Sequence, residues 1–433
     1  MRSFFSFDNL AIVVATCCAV AMLYVVPKNF DFLNPITQAL GDFDMTDMVF
    51  TQFRDESKVT VDTNIVIVNI GDRGRGEIAE MLGRINQAEP AVVGIDAFFR
   101  APKEEDPASD SALSAAMQAT PNLVLVSKVA FKEEAEEGVV EQWVTSAVEA
   151  DRVFDTLETS HPMFTAHAPT GYANLIIDQE AAFMTVREVS FEEECAGKKE
   201  HSFPIRIAQA VAPERAAAAL ARHETHEVVN FRGGLEKFYS FDADQVLDPE
   251  TDLSLLKGKI VLMGFLGPKI GDQAYSDNFF TPLNQHYAGR SYPDMYGVVI
   301  HANVLSMILS GQFINTMPFW FSIVLALVVL ILNVNLFTFI YKHYENWYDT
   351  LAIITQLGQS LLILYLTIVV FDTYQYKLAL TPTLIGVALV GTIHDLYEDS
   401  LKKIILTGWA RIRRRRASLQ TENRTSAPSS EES

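Results

Sequence analysis

The sequence predicts an α/β fold, a mixed or parallel sheet with flanking helices, attached to an α-helical transmembrane bundle. Three observations predict it. β-Branched apolar runs alternate with helical periodicity through a central block, long apolar segments frame that block, and the negative charge is concentrated inside it. The chain has 433 residues, 49% hydrophobic and 20% charged. That exceeds one domain of about 100–200 residues and is too apolar for disorder.

The run Ile65-Val66-Ile67-Val68-Asn69-Ile70 reads as a buried strand, broken by Gly71-Asp72-Arg73-Gly74-Arg75-Gly76. From Glu77 to Gln87 the residues Ile78, Met81, Leu82 and Ile85 recur at helical spacing, and Pro90 ends the pattern. Ala91 to Asp96 is a second strand, so the three pieces form the crossover unit of a parallel sheet. Ser109–Thr120 predicts a helix and Asn122–Val129 a third strand. The acidic, poorly periodic stretch Lys132–Leu157 predicts a peripheral insertion. A short helix over Pro204–Val211, strands over Glu227–Phe231 and Lys259–Phe265, and a helix over Gly297–Leu309 ending at Gly311 complete the block.

Four apolar segments, 10–26, 319–341, 351–371 and 378–396, predict membrane spans. Each of the last three has about 20 residues, the length that crosses a hydrocarbon core of about 30 Å. Cleavage at Ala19-Val20-Ala21 would make the first a signal peptide instead of an anchor. Residues 1–26 are neutral and residues 318–433 carry +1, so residues 27–317 carry −21 against the chain's −20. Lys402, Lys403, Arg411 and Arg413 to Arg416 follow the last span, and the positive-inside rule keeps them in the cytoplasm. Residues 1–9 then lie inside the cell and 27–317 in the periplasm. The tail 397–433 is basic, largely disordered and cytoplasmic. Asn333, Asn335, Gln356, Gln359 and Ser360 are expected to join helices inside the bundle.

Ligands on open α/β sheets bind beyond the carboxyl ends of the strands. Those ends carry Asp72, Asp96, Arg100, Gly264 and Asp272. Asp96 either caps the next turn or faces a ligand, and capping is the favoured role. His301, between Ile300 and Ala302, is expected to be structural before it is a ligand. The glycine loop is no dinucleotide fingerprint, because Arg73 takes its third position. Arg73 and Arg75 could hold a small anion at the following helix, although a solvated turn is the favoured reading. The nucleophile elbow, zincin, P-loop and C-x-x-C motifs are missing from the sequence, so neither catalysis, a metal nor a cofactor is expected. The negative balance argues against nucleic acid. Cys195, the only cysteine of the block, is expected to be a free thiol or to pair between the chains of a homo-oligomer.

The central block resembles CHASE2, an extracytoplasmic sensory domain of bacterial receptors. The likeness rests on Ile65 to Asp72, Ala91 to Phe99, Ser109 to Leu113 and Leu256 to Gly264, then Asp272, Thr281-Pro282 and Gly297 to Asn303, in that order. The resemblance implies three membrane spans after the domain and, in most members, a kinase or cyclase beyond them. About 37 residues follow Leu396, too few for a core of their own. The chain is therefore expected to be an inner-membrane sensory subunit that detects a periplasmic ligand or protein. A separate partner would supply its output. The alternative is a structural subunit of an envelope complex that uses the same domain for docking.

Overall fold

The computed structural model describes residues 6–29, 47, 49–54, 59–131, 144–146, 153–166, 168–177, 185–272, 274–284 and 292–402. The basic tail from Lys403 onward and most of the expected insertion lie outside the described residues. The chain forms two compact units, an α/β unit built from residues 35–315 with 371–376, and a helical unit from the rest.

The α/β unit is organised on one main sheet. Strand β1 (Asp62–Asn69) pairs in parallel with β12 (Phe238–Phe241) on one side and β13 (Ile260–Gly264) on the other. Strand β13 continues in parallel to β2 (Val92–Ile95), and β2 to β3 (Leu123–Ala130). Strand β5 (Thr156–Thr159) runs antiparallel along β3, and β6 (Thr170–Tyr172) pairs in parallel with the first half of the same edge.

Side chains alternate across each strand, so each face has its own core. On one face Val66, Val68, Val93, Ile95, Val261 and Met263 meet helices α1 (Arg75–Gln87), α2 (Pro107–Gln118) and α6 (Ala243–Leu247). Helix α1 buries Ile78, Met81, Leu82 and Ile85 there, and each such side chain contributes about 1.5–3 kcal/mol relative to exposure. Its first turn is closed by Glu77, whose carboxylate accepts from the Gly74 N–H at 3.0 Å. Helix α2 starts on Asp106, which accepts from the Ser109 N–H at 3.1 Å, with Pro107 in the first turn.

Helices α4 (Phe203–Val211) and α7 (Gly297–Ser310) cover the opposite face. Two glycines permit the contact. A Cβ on Gly94 would meet Ile207 and Phe203 at 2.7 and 2.8 Å, and one on Gly264 would meet Val298 at 2.6 Å. Helix α7 ends on Gly311 at φ 69°, whose N–H donates to Met307 and Ile308 carbonyls, the expected terminus.

The described part of the expected insertion lies at sheet edges. Strand β4 (Val144–Ser146) joins a second sheet of order β11-β8-β7-β4 with β7 (Leu175–Ile177), β8 (Val186–Val189) and β11 (Glu227–Val228), and β5 belongs to the main sheet. Strands β9 (Glu192–Cys195) and β10 (Lys198–His201) form a hairpin, and β14 (Asn278–Phe279) pairs antiparallel with β15 (Met295–Tyr296) ahead of α7.

The helical unit contains helices Phe7–Asn29, Phe319–His343 and Thr381–Leu396, and most of Tyr348–Tyr374. Among the described residues two apolar stretches, Phe319–His343 and Glu345–Tyr374, are long enough to cross a membrane; the expected first and last spans fall short, as the apolar part Phe7–Leu23 and the 16-residue Thr381–Leu396. Asn335 does join helices, accepting from the Asn9 amide at 2.9 Å, and the Gln356 amide donates to the Ala388 carbonyl at 2.9 Å. Asn333 instead turns back on its own helix, donating to the Val329 carbonyl at 3.0 Å.

Candidate functional site

The carboxyl ends of β1, β12 and β13 are tied together by one side chain. Asn69 closes β1 and is wholly buried. Its amide donates to Asp242 at 2.9 Å and to the Gly267 carbonyl at 3.0 Å, while its oxygen accepts from the N–H groups of Gly71 at 3.0 Å and Leu266 at 2.8 Å. Asp242 caps α6 and also accepts from the Ile270 N–H at 3.1 Å. A buried amide with every group matched fixes the loops around it.

The expected site residues do not converge. Asp72 is exposed in the β1–α1 turn. Its neighbours Arg73 and Arg75 are both matched within the protein. Arg73 donates to Glu77 at 2.9 Å and also to Asp244. Arg75 donates to Asp110 at 2.5 Å and to the Ala101 carbonyl at 2.8 Å, with its guanidinium 5.3 Å from the Phe164 ring centre. The Arg75 hydrogen bond holds the Asp110 carboxyl below its ordinary range, against the opposing effect of burial. Neither arginine is left for an anion.

Arg100 is exposed, lies over the Phe98 ring at 4.7 Å and reaches Glu158 at 3.6 Å, on the β5 edge. His301 is buried in α7 with its ring 5.6 Å from Phe203, and burial pushes its pKa down to about 4. That is a neutral histidine packed in the core.

Asp96 is the correction. It does not cap the next turn, where among the described residues no backbone N–H donates to it; the helix that follows is capped by Asp106. Among the described residues its carboxylate accepts no hydrogen bond, and burial pushes its pKa up to about 7. The neighbouring charge is Asp277, driven well above the usual carboxylate range by burial and then by Asp96. Asp277 sits on the first turn of α7: its carbonyl accepts from the Gly297 N–H at 3.0 Å, and a Cβ on Gly297 would meet its carboxylate oxygens at 3.0 and 3.2 Å. The positive end of α7 faces this pair.

Asp272 alone lines a cleft. It has about 340 Å³ and is formed by the segment between β13 and α7 against residues 234–236. Glu236, Asp272 and Asp294 bring negative charge and Tyr275, Tyr292 and Tyr296 bring rings, and among the described residues no lysine or arginine lines it. The Tyr275 and Tyr292 rings stand 5.6 Å apart and are 67% and 57% exposed. Asp294 is held by the Thr281 N–H at 2.9 Å and hydroxyl at 2.5 Å and by the Asn284 amide at 3.2 Å. Another cleft, of about 250 Å³, lies at the amino end of β1 beside Arg54 and Arg232. Its arginines already donate inward, Arg232 to the Ser306 hydroxyl at 2.8 Å and the Thr60 carbonyl at 3.0 Å, and Arg54 to the Phe231 carbonyl.

Sequence reasoning missed Asn69, Asp277 and the tyrosines. Asn69 gave a signal, an amide closing a β-branched run; the tyrosines gave none, since only the folded loop brings 275 and 292 together. Among the described residues no group of three His, Cys, Asp or Glu side chains is placed for a metal.

A mixed, mostly parallel sheet covered by helices on both faces makes this an α/β domain. The CHASE2 domain model matches residues 16–336, and the chain belongs to that family of extracytoplasmic sensory domains. No curated protein and no solved structure matches the chain.

Proposed function

We propose that this chain is a sensory subunit of a bacterial inner membrane, whose α/β domain binds a ligand in the periplasm and passes the event to a separate protein. The observation that carries the reading is the CHASE2 match over residues 16–336, from the first apolar helix into Phe319–His343. In this reading all four apolar helices cross the membrane, the acidic block faces out, and the basic tail meets the partner. The chain itself performs no turnover and uses no cofactor. Helix α7 is the natural output element: its first turn carries the Asp277 contact, and the short segment 311–318 links its end to the next helix in sequence. A signal needs two states that differ in ligand affinity.

The test is crosslinking in intact membranes followed by purification of the full chain in mild detergent. Recovery of a kinase, cyclase or response regulator, lost when 310–318 is replaced by a glycine-serine linker, is the expected result. Recovery of envelope proteins alone, in fixed stoichiometry and indifferent to that linker, would make the domain a docking surface and overturn the sensory reading.

A further inference from the structure

We infer that the stretch 371–376 and the segment after α7 form one latch through which the α/β domain passes its signal. The inference rests on the sensory reading for its purpose but on the contacts for the latch itself. Residues 371–376 close the helix Tyr348–Tyr374 and lead toward Thr381–Leu396, yet they belong to the α/β unit, as the residues after α7 do up to Asn315. The chain therefore leaves that unit twice in this region, after Asn315 and again after Tyr376.

One side chain fastens the two exits. The amide of Asn230, which follows β11, donates to the Gln312 carbonyl at 3.0 Å and to the Gln375 side-chain oxygen at 2.9 Å. The Asn230 N–H lies 3.3 Å from the Met307 sulfur, near the end of α7. The Asn315 N–H adds a direct bond to the Gln375 carbonyl at 2.9 Å. Asn315 in turn accepts from Arg222 at 3.2 Å, and that guanidinium lies 4.6 Å from the centre of the Phe313 ring. Arg222 is itself gripped by Glu227 at 2.5 and 3.1 Å. Phe371 is buried, with its ring 5.5 Å from Phe50.

The backbone marks this as a built contact. Gln375 has a φ of 51°, a left-handed conformation that is costly for a residue other than glycine. Its N–H donates to the Phe371 carbonyl at 3.0 Å, its carbonyl accepts from Asn315, and its side-chain oxygen accepts from Asn230. Such a conformation persists where its surroundings over-determine it, and switch regions are among those places. A shift of α7 then pulls on residue 375 as well as on 312; without the latch only the path through 311–318 remains.

The experiment is amide hydrogen exchange of the full chain in mild detergent, read by mass spectrometry over 312–316 and 371–376. Asn230→Ala should speed exchange in both segments about tenfold, with the protection of β1 and β13 unchanged. Gln375→Asn tolerates the left-handed backbone but falls short of Asn230, and should speed 371–376 about threefold. Over 371–376 the double variant should match Asn230→Ala, because the two substitutions remove one shared contact. Loosening of one segment alone in Asn230→Ala, additive effects in the double variant, or unchanged exchange in both segments would overturn the latch. Its part in output is read by partner recovery after crosslinking, which Asn230→Ala should lower to the level of the glycine-serine linker. Full recovery from a loosened latch would overturn that part. A parent that recovers envelope proteins alone would instead defeat the sensory reading, and the exchange result would still decide whether the two segments move together.

Discussion

The turn after β1 and the segment after β13 leave adjacent, paired strands at the same end of the sheet, yet they have opposite chemistry. The first is short and closed. Gly71, at φ 50°, lies so near the second segment that a Cβ would meet the Pro268 carbonyl at 2.9 Å, and both arginines that follow are matched by carboxylates. The second is long, carries the β14–β15 pair, and leaves tyrosine rings and Asp272 facing solvent. Glycines and arginines in a turn suggest an anion site only until their partners are known. A charge already spent on a neighbour is unavailable to a ligand.

Asn69 serves both segments at once, so replacing it tests whether they share one anchor. Asn69→Leu would strand the Gly71 and Leu266 N–H groups and the Gly267 carbonyl. The expected loss is about 4 kcal/mol of unfolding free energy, at roughly 1–3 kcal/mol for each buried group left unmatched. Chemical denaturation of the full chain in detergent measures it. A variant as stable as the parent would show that each segment holds itself.

Much of the main sheet was legible because β1, β2, β3 and β13 are β-branched runs, and α1 and α7 have clear boundaries in glycine, proline and apolar spacing. Strand order was not. That β13 inserts between β1 and β2, and β12 lies outside β1, depends on contacts nearly two hundred residues apart in the chain. Of the second sheet only β11 was anticipated, within Glu227–Phe231; the other strands have three or four residues, too short for alternation to register. The strand-end rule picked Asp72, Asp96, Arg100 and Asp272 from the segments that follow β1, β2 and β13. It could not tell which carboxylate would be matched, since Asp110 and Asp244, the partners that disarm the arginines, come from other elements.

The acids beside α7 sharpen the contrast, because unlike Asp110 they are half-buried with no cation partner among the described residues. A carboxyl group raised to about 7 holds its proton in the folded chain and releases it in the unfolded one near 4. Its contribution is therefore complete at low pH and is lost as pH rises through about 7. Asp96→Asn should remove that loss, leaving the variant more stable than the parent at pH 8 by up to about 4 kcal/mol and indistinguishable from it near pH 4. His301 works in the other direction: lowered to about 4 by burial, it supplies stability above its ordinary value that fades as pH falls. In the parent the two slopes oppose each other between pH 4 and 7, so His301→Gln should expose the downward slope that Asp96 imposes. Melting curves across that window read both. Parallel profiles for parent and Asp96→Asn would remove the acid pair from the account.

The smallest effect belongs to the turn that looked most like a site. Arg73 is partly exposed and shares its charge between Glu77 and Asp244, both about half exposed, so solvent and salt screen each pair. Arg73→Ala should lower the melting temperature by no more than the scatter of the measurement. The informative readout is phosphate: an anion held by this turn would raise the parent's melting temperature and not the variant's. Because Glu77 and Asp244 stand where that anion would have to sit, phosphate should leave both unchanged. A stabilisation confined to the parent would reopen the turn after β1 as the binding end of the domain.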